Sequence, residues 1–262
     1  MKSTFNPEFL DKKEVIQNCV TNYYNLGTFI YEGNRNSIKI FDLEDSTIRI
    51  KAFKKPHLFN KIMYTYFRKS KAKRSFEYAK LLLEKGIGTP KPIAYYENFD
   101  SLGLNDSYYV SEFLKSDFRY RELLKMEDEV KKEAVLRQFV AFTYKLHQAN
   151  IEFIDHSTGN TLIKDLGNGQ YAFYLVDLNR TNFDKKLTFE ERMKNFSKLT
   201  SSEAIIAIMS DEYAKLSGEN KEMVFNAMWK ATQEFQHQFY RKKRLKKKLK
   251  FWKKQYFHFL IH

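Results

Sequence analysis

The chain of 262 residues is 43% hydrophobic and 16% aromatic, which is enough apolar material for a folded core and excludes a wholly disordered protein. Its single cysteine, Cys19, excludes an intrachain disulfide and a metal site built from cysteines, and it favours a reducing compartment. The formal net charge is +14, but residues 241–254 carry ten Lys and Arg side chains and no acid follows them. Without these ten the charge is about +4, so the sequence predicts a nearly balanced body with a very basic C-terminal tail.

The first part of the chain predicts β-strands. Three segments alternate apolar and polar residues with a period of two, and turn-forming residues separate them: 28–31, 37–41 and 47–53. The next segment, 71–85, has helical spacing, and Gly86 is expected to end it. Its apolar face is predicted to consist of Ala72, Phe76, Ala79 and Leu83. Two more strand patterns follow, at 92–96 and 107–113.

Helical patterns dominate from about residue 117. The apolar side of one long helix is predicted at Val135, Leu136, Phe139, Val140, Phe142 and Leu146, and further helical patterns cover 188–238. Two short strand-like runs, 160–163 and 171–176, interrupt this part. Strands followed by helices predict an α+β fold with two lobes. We expect an N-lobe of sheet plus helix over 1–112, a helical C-lobe over 113–240 and the basic tail over 241–262.

The strongest chemical signal combines two carboxylates with an amide. Asp155 and Asn160 stand five residues apart, and Asp177 follows the second of the short strand patterns. Phosphoryl transfer requires a carboxylate beside the acceptor hydroxyl, plus an amide and a second carboxylate that hold Mg²⁺ against the phosphates. Each motif alone is most often an ordinary turn, but the ordered combination favours a kinase.

Two further segments extend this pattern: GIGTPKPIA at 86–94 and VSEFL at 110–114. With them the chain resembles the protein-kinase-like superfamily over about residues 25–185. It is most similar to the lipopolysaccharide core kinases, the Kdo/heptose kinase family of Gram-negative bacteria. The resemblance implies a bilobal fold, with an antiparallel-sheet N-lobe and a helical C-lobe, that uses ATP and Mg²⁺.

The resemblance also implies roles for individual residues. Asp155 would be the catalytic base, and Asn160 and Asp177 would be metal ligands. The segment from Glu112 to Leu114 would join the lobes and contact adenine through its backbone.

Lys51 ends the strand pattern Ile48-Arg49-Ile50-Lys51, which is shaped like the kinase V-A-I-K strand whose lysine holds the α- and β-phosphates. Lys54 and Lys55 are close competitors for this role, and the strand alternation favours Lys51. The sequence does not decide which glutamate of the following helix, if any, forms an ion pair with that lysine. Glu77 lies in the right helix, but the glutamate of the family would fall about two residues earlier, at Ser75. Either a shifted helix brings Glu77 to Lys51, or the ion pair is absent and Glu77 is a surface residue.

Several departures from the kinase pattern narrow the class of enzyme. Phe153 replaces the histidine of H-x-D, the glycine-rich loop is reduced to a turn at 33–36, and no A-P-E follows Asp177. This relaxation is expected of kinases for small molecules or glycolipids rather than of protein kinases. Cys19 and His147 are expected to pack in the core, whereas His156, next to Asp155, is a candidate for shaping the acceptor site.

The basic tail also has an apolar face at helical spacing: Leu245, Leu249, Trp252, Tyr256 and Phe259. A basic amphipathic helix with aromatic residues is typical of a segment that lies on an anionic membrane. The alternative is a last helix that packs on the second lobe with a solvated basic face. Nucleic-acid binding is disfavoured because the body of the chain is nearly neutral.

The sequence therefore predicts an ATP-dependent kinase that phosphorylates a sugar hydroxyl of a lipopolysaccharide inner-core glycolipid, on Kdo or heptose. Its expected partners are Kdo-lipid A or the core oligosaccharide, and an anionic membrane surface bound through 241–262. Its expected location is cytoplasmic and peripheral on the inner membrane of a Gram-negative bacterium. Two alternatives stay open: a membrane-associated pseudokinase scaffold, and a kinase of a soluble small molecule.

Overall fold

The computed structural model describes residues 1–259, with side chains as far as residue 249. The chain forms two compact units. Unit 1 comprises Met1–Tyr120 and Asn160–Thr181, and unit 2 comprises Arg121–Gly159 and the residues from Asn182 onward. The predicted lobe boundaries at 112 and 240 stay a prediction.

Unit 1 is built on a six-stranded antiparallel sheet in the order β1-β5-β6-β4-β3-β2. The strands are β1 Lys2–Phe5, β2 Thr28–Glu32, β3 Asn36–Asp42, β4 Thr47–Phe53, β5 Pro92–Asp100 and β6 Gly103–Glu112. The sequence predicted the last five of these, and the structure confirms them. The first strand was missed because its four residues carry no alternating pattern, and it is defined by its pairing with β5.

One face of this sheet carries the core of unit 1. Helix α1, Lys13–Thr21, packs its buried side chains, including Cys19, against Ile48 and Ile50 of β4 and Val110 of β6. Burial of this apolar surface stabilises the unit by about 25 cal/mol for each Å² removed from water. Cys19 is a buried, free cysteine, as predicted.

Three further elements complete the helical part of unit 1 and its second sheet. A short helix, α2 Leu58–Ile62, continues into a single π-helical turn, Met63–Phe67. Helix α3 runs over Lys71–Glu84, and the Ser70 side chain caps its first turn. Strands β7 Phe118–Arg119, β9 Thr161–Gly167 and β10 Gln170–Leu175 form a separate antiparallel sheet.

The structure corrects the predicted apolar face of α3. Ala72, Phe76 and Ala79 are buried as expected, but Leu82 is buried whereas Leu83 is 39% exposed. The face also buries Arg74 and Ser75, which hydrophobic periodicity alone does not select because both are polar.

Unit 2 is helical, as predicted for the second part of the chain. Its main helices are α5 Glu129–Gln148, α6 Phe189–Asn195, α7 Glu203–Ser217 and α8 Lys221–Phe259, after a short helix α4, Tyr120–Leu123, at the unit boundary. Two short strands, β8 Glu152–Phe153 and β11 Thr181–Asn182, complete the chain. Helix α7 packs against both α5 and α8. Among the described helices, none combines the length and the apolar character that a membrane span requires.

Candidate active site

Lys51 and Asp177 form the centre of a narrow cleft in unit 1. Strand β4 turns Ile48 and Ile50 into the core, so Lys51 lies on the opposite face. Lys51 is only 3% exposed, and its Nζ donates a hydrogen bond to Asp177 Oδ1 at 2.5 Å. Burial lowers the pKa of Lys51, and the neighbouring Asp177 carboxylate opposes that shift. The strand alternation therefore selected the lysine that pairs with the predicted metal-binding aspartate.

A β-hairpin brings Asn160 and Asp177 to the same end of the small sheet. Asn160 immediately precedes β9, and Asp177 follows β10 by two residues. The Val176 amide donates to the Asn160 carbonyl at 3.0 Å, which fixes the two ends together. Asp177 has a left-handed backbone with φ of 66°, a conformation that non-glycine residues adopt at functional sites more often than elsewhere.

Seven residues besides 175–178 line this cleft, which we call the Lys51 cleft: Arg49, Lys51, Ser75, Thr89, Pro90, Tyr109 and Ser111. Its internal volume is about 10 Å³, room for about one water. Arg49 shares the cleft face of β4 with Lys51, and burial lowers the pKa of Arg49. Sequence reasoning missed Arg49. Its position two residues before Lys51 on the same strand would have placed both side chains on one face.

Glu77 does not pair with Lys51 in the structure. Its carboxylate accepts from Lys69 Nζ at 2.8 Å on the surface of unit 1. The residue of α3 that lines the Lys51 cleft is Ser75, whose hydroxyl accepts from the Asn179 side-chain amide at 2.9 Å. Of the two alternatives left open by the sequence, the structure has the one without a lysine–glutamate pair, and Asp177 supplies the counter-charge.

The turn after α3 supports the strand that leads to Asp177. The Leu175 amide donates to the Gly88 carbonyl at 2.8 Å, and the Thr89 hydroxyl donates to the Leu175 carbonyl at 2.8 Å. A Cβ at Gly88 would lie 2.2 Å from the Phe173 carbonyl oxygen. Only glycine permits this approach, which explains a glycine in the segment 86–94.

The predicted adenine-contacting segment is held by backbone hydrogen bonds at the end of β6. The Glu112 amide donates to the Lys91 carbonyl at 2.9 Å, and the Phe113 amide donates to the Thr47 carbonyl at 3.0 Å. Neither Glu112 nor Leu114 lines the Lys51 cleft, whereas Ser111 does. The roles of Glu112 and Leu114 stay predictions.

Asp155 belongs to unit 2, where it follows the short strand β8. Its Oδ1 lies 3.9 Å from Lys198 Nζ, and Lys198 also donates to the Ile154 carbonyl at 2.5 Å. The side chain is 31% exposed, so part of it reaches solvent. Phe153, at the position of the kinase H-x-D histidine, is fully buried.

His156 is fully buried beneath Asp155 and does not face an acceptor, so this prediction is corrected. Its ring packs against Phe139, Phe153 and Phe196 at centroid distances of 5.2, 5.8 and 6.3 Å. Among the described residues, its ring nitrogens have no hydrogen-bond partner. Burial lowers its pKa to about 3, although Asn195 opposes the shift. Apolar neighbours stabilise the neutral imidazole.

His147 packs as predicted. Its two ring nitrogens lie 2.9 Å from the Tyr213 hydroxyl and 3.2 Å from Asn195 Oδ1. Burial lowers its pKa to about 4, which is typical of a structural histidine rather than a metal ligand.

The donor set at the hairpin end fits magnesium. Among the residues with described side chains, no group of three or more His, Cys, Asp or Glu side chains could hold a metal by itself. Mg²⁺ prefers oxygen ligands and is usually bound by one or two side chains together with substrate phosphates and water. The amide oxygen of Asn160 and the carboxylate of Asp177 therefore suit Mg²⁺ that arrives with a nucleotide.

Comparison with known proteins identifies the class. The model of the family described as "Lipopolysaccharide kinase (Kdo/WaaP) family" matches residues 39–220, about two thirds of the chain. The chain belongs to this family. It is therefore a kinase of lipopolysaccharide core biosynthesis, a phosphotransferase that uses ATP and acts on a sugar hydroxyl. The matched region ends just before α8 begins at Lys221, so the basic tail lies outside it.

A solved structure supports the kinase-like fold. The structure titled "WaaP in complex with acyl carrier protein" matches with a TM-score of 0.62 and 13% identity. The match covers 91% of this chain and 98% of that one. No curated protein matches the sequence. The predicted α+β, protein-kinase-like fold is thereby confirmed.

Proposed function

We propose that this lipopolysaccharide kinase phosphorylates Kdo or heptose of an inner-core glycolipid, with ATP and Mg²⁺ as cofactors. The observation that carries the proposal is the ion pair of the buried Lys51 with Asp177, which lies at the strand end next to Asn160. A buried lysine whose partner is also a metal-ligand candidate is the arrangement that phosphate binding requires.

Each residue then has a separate task. Lys51 binds the α- and β-phosphates, and Asn160 and Asp177 hold the metal. The bound cofactors supply the phosphoryl group and neutralise the charge that develops on it. Asp155 orients the acceptor hydroxyl and accepts its proton, while Glu112 and Leu114 offer backbone groups to adenine. Catalysis of this kind consists mainly of positioning and charge stabilisation.

The tail supports a location at an anionic membrane. The described residues of 241–249 are all exposed and helical, and Leu245 and Leu249 are 50% and 63% exposed. Basic residues near an anionic leaflet contribute about 1 kcal/mol each, so this segment can bind such a surface. The side chains of Trp252, Tyr256 and Phe259, which would complete the apolar face, lie outside the described residues. We place the enzyme at the cytoplasmic face of the inner membrane of a Gram-negative bacterium, where Kdo-lipid A is its acceptor.

The test is a mass-spectrometric assay with ATP, Mg²⁺ and a Kdo-containing lipid A precursor. Wild-type protein should add one phosphate, and Asp155→Asn should lower kcat about a thousandfold. Asp11→Asn, a change at an exposed aspartate, is the matched control and should keep the rate. Absence of product from the wild type, with no nucleotide-induced rise in Tm, would contradict the proposal and favour a scaffold. Phosphorylation of a soluble aminoglycoside-like sugar but not of the lipid would point to a soluble acceptor.

A further inference from the structure

The segment that connects β4 to α3 presents its apolar side chains to solvent. Within residues 57–68, which we call the 57–68 segment, five large apolar side chains are exposed: Leu58 58%, Phe59 74%, Ile62 44%, Tyr66 75% and Phe67 76%. None of the residues of α2 or of the π-helical turn is buried. Exposed large apolar side chains that cluster within a short segment are typical of an interaction surface.

The polar residues of the same segment attach it to the sheet of unit 1. Lys61 forms an ion pair with Asp100 of β5. The Thr65 hydroxyl donates to the Lys61 carbonyl at 2.7 Å and accepts from the Leu104 amide at 3.0 Å. Gly103 permits this seating, since a Cβ there would lie 2.4 Å from Thr65 Oγ1. The segment is thus amphipathic, but in the opposite orientation to a core-facing helix. Its polar residues contact the sheet of unit 1, and its aromatic side chains face solvent.

Basic side chains line a cavity next to the 57–68 segment. A cavity of about 360 Å³ beside the segment has five basic lining residues and one carboxylate, Asp106. The basic residues are Arg35, Lys54, Lys55, His57 and Lys71. The side chain of Asp106 is already engaged by Asn98 and Asn105. Among the residues with described side chains, Lys54 and Lys55 have no ion-pair partner. Burial lowers the pKa of Lys71, the Arg35 and Arg74 guanidinium groups lower it further, and Asp177 opposes the shift. Basic side chains outnumber carboxylates in the described lining of this cavity.

We propose that the 57–68 segment is a second membrane-contact element, which inserts its aromatic side chains into an anionic phospholipid surface while the basic cavity takes a lipid headgroup phosphate. The inference deepens the proposed function, because a lipid-linked acceptor has to be reached at the bilayer surface. Exposed Phe and Tyr next to unpaired lysines suit the membrane–water interface. A protein partner is less well matched, because lysine is depleted at the centres of protein interfaces.

This element is separate from the tail and from the Lys51 cleft. It belongs to unit 1, whereas the tail belongs to unit 2. The basic cavity and the Lys51 cleft share no lining residue. Membrane contact at the segment can therefore be measured apart from the tail.

A site-specific fluorescent label tests insertion directly in the full-length chain. The chain has one cysteine, Cys19, and it is buried, so Phe59→Cys can be labelled with an environment-sensitive NBD group. Leu166→Cys, at a residue that is 58% exposed elsewhere in unit 1, is the matched control. With vesicles of phosphatidylethanolamine and phosphatidylglycerol, the label at position 59 should shift to the blue and brighten severalfold. The label at position 166 should not change.

Substitutions then test each half of the element by vesicle co-sedimentation. Phe59→Ser with Phe67→Ser should raise the lipid concentration for half-maximal binding at least about tenfold, and Val130→Ser with Leu166→Ser is its control. Lys54→Gln with Lys55→Gln should weaken binding by about fivefold per lysine at low salt, whereas Lys164→Gln with Lys186→Gln should have a smaller effect.

The outcomes separate this inference from the proposed function. An unchanged NBD signal at position 59 on vesicles that bind the wild-type chain would overturn the inference and leave the tail as the membrane contact. Unchanged binding by the Phe59/Phe67 variant would overturn it too. Insertion of the label by a chain that never phosphorylates the lipid A precursor would support this element and contradict the proposed function.

Discussion

Asp177 in unit 1 is positioned by charge and backbone geometry, whereas Asp155 in unit 2 stands beside an aromatic core. The Asp177 carboxylate pairs with a buried lysine, and its backbone is left-handed. Asp155 has a lysine at 3.9 Å, and the next residue, His156, is buried among three phenylalanines. Both carboxylates are partly exposed, at 49% and 31%, so burial of the carboxylate itself does not distinguish them.

The two carboxylates differ in how much they contribute to the stability of the fold. Asp177 compensates the charge of Lys51, so its removal leaves a buried cation without a partner. Asp155 lies 3.9 Å from Lys198, whose side chain is 29% exposed, so the loss of this contact should cost less than the loss of a partner for the buried Lys51. Unit 1 should therefore be sensitive to changes of charge and steric fit, and unit 2 to changes of pH that charge its buried histidines.

The largest expected effects come from the two carboxylates themselves. Asp177→Asn and Asp155→Asn should both lower kcat by about a thousandfold. Only Asp177→Asn should also lower the free energy of unfolding, by about 1–3 kcal/mol, since half of its side chain is solvated and screening reduces the loss. Kinase assays and thermal melts of both variants check this. An equal loss of stability in the two variants would contradict the conclusion that only Asp177 stabilises the fold by compensating a buried charge.

Gly88→Ala should be the next largest effect, and it acts on stability. The added Cβ would lie 2.2 Å from the Phe173 carbonyl oxygen, so β10 and the residues that lead to Asp177 have to shift. We expect a loss of about 3 kcal/mol in the free energy of unfolding and a matching fall in activity, measured by urea denaturation and by the kinase assay.

Gly169→Ala is the control for this prediction. Gly169 has a left-handed φ of 72° but open space around its Cβ position. Its substitution should cost about 1 kcal/mol from backbone strain alone. If Gly88→Ala were as mild as Gly169→Ala, the close approach of the turn to β10 would not be what positions Asp177.

His156→Phe should make unit 2 less sensitive to acid. The folded-state pKa of about 3 lies below the unfolded value of about 6.5, so the neutral ring stabilises the fold above pH 6.5 and this contribution is lost as the pH falls towards 3. At pH 5 the loss is about 2 kcal/mol. The variant should therefore show a smaller drop in Tm between pH 7.5 and pH 5, and an unchanged drop would contradict the burial of a neutral imidazole.

Most of the fold was predictable because its signals are local. Strands β3 and β4 alternate apolar and polar residues over much of their seven-residue lengths, and the motif residues Asp155, Asn160 and Asp177 are recognisable by spacing along the chain. Strand β1 has no such signal, because its four residues, KSTF, are too few to show an alternation, and its pairing with β5 defines it. The 57–68 segment was missed because its pattern is reversed relative to a core-facing helix.

The lining of the Lys51 cleft was less predictable than its motif residues. Arg49, Ser75 and Thr89 come from a strand, a helix and a turn, and no spacing in the sequence connects them. Tertiary contacts also decide which helix position faces the cleft. Ser75 occupies the inward position, whereas the glutamate that a kinase comparison suggests lies on the surface.

The smallest expected effect is that of Glu77→Gln, which tests whether Ser75 rather than Glu77 is the α3 residue that acts in the cleft. Glu77→Gln removes only a surface ion pair with Lys69, whose side chain is 58% exposed, and such pairs contribute between about 0 and 1 kcal/mol. KM for ATP should change less than about twofold, because the charge that compensates Lys51 comes from Asp177. Ser75→Ala, in contrast, removes the acceptor of the Asn179 amide inside the cleft and should raise KM for ATP severalfold. A large rise in KM for Glu77→Gln, with none for Ser75→Ala, would mean that nucleotide binding turns α3 to bring Glu77 to Lys51. The charge-based positioning of Asp177 would then belong only to the nucleotide-free protein.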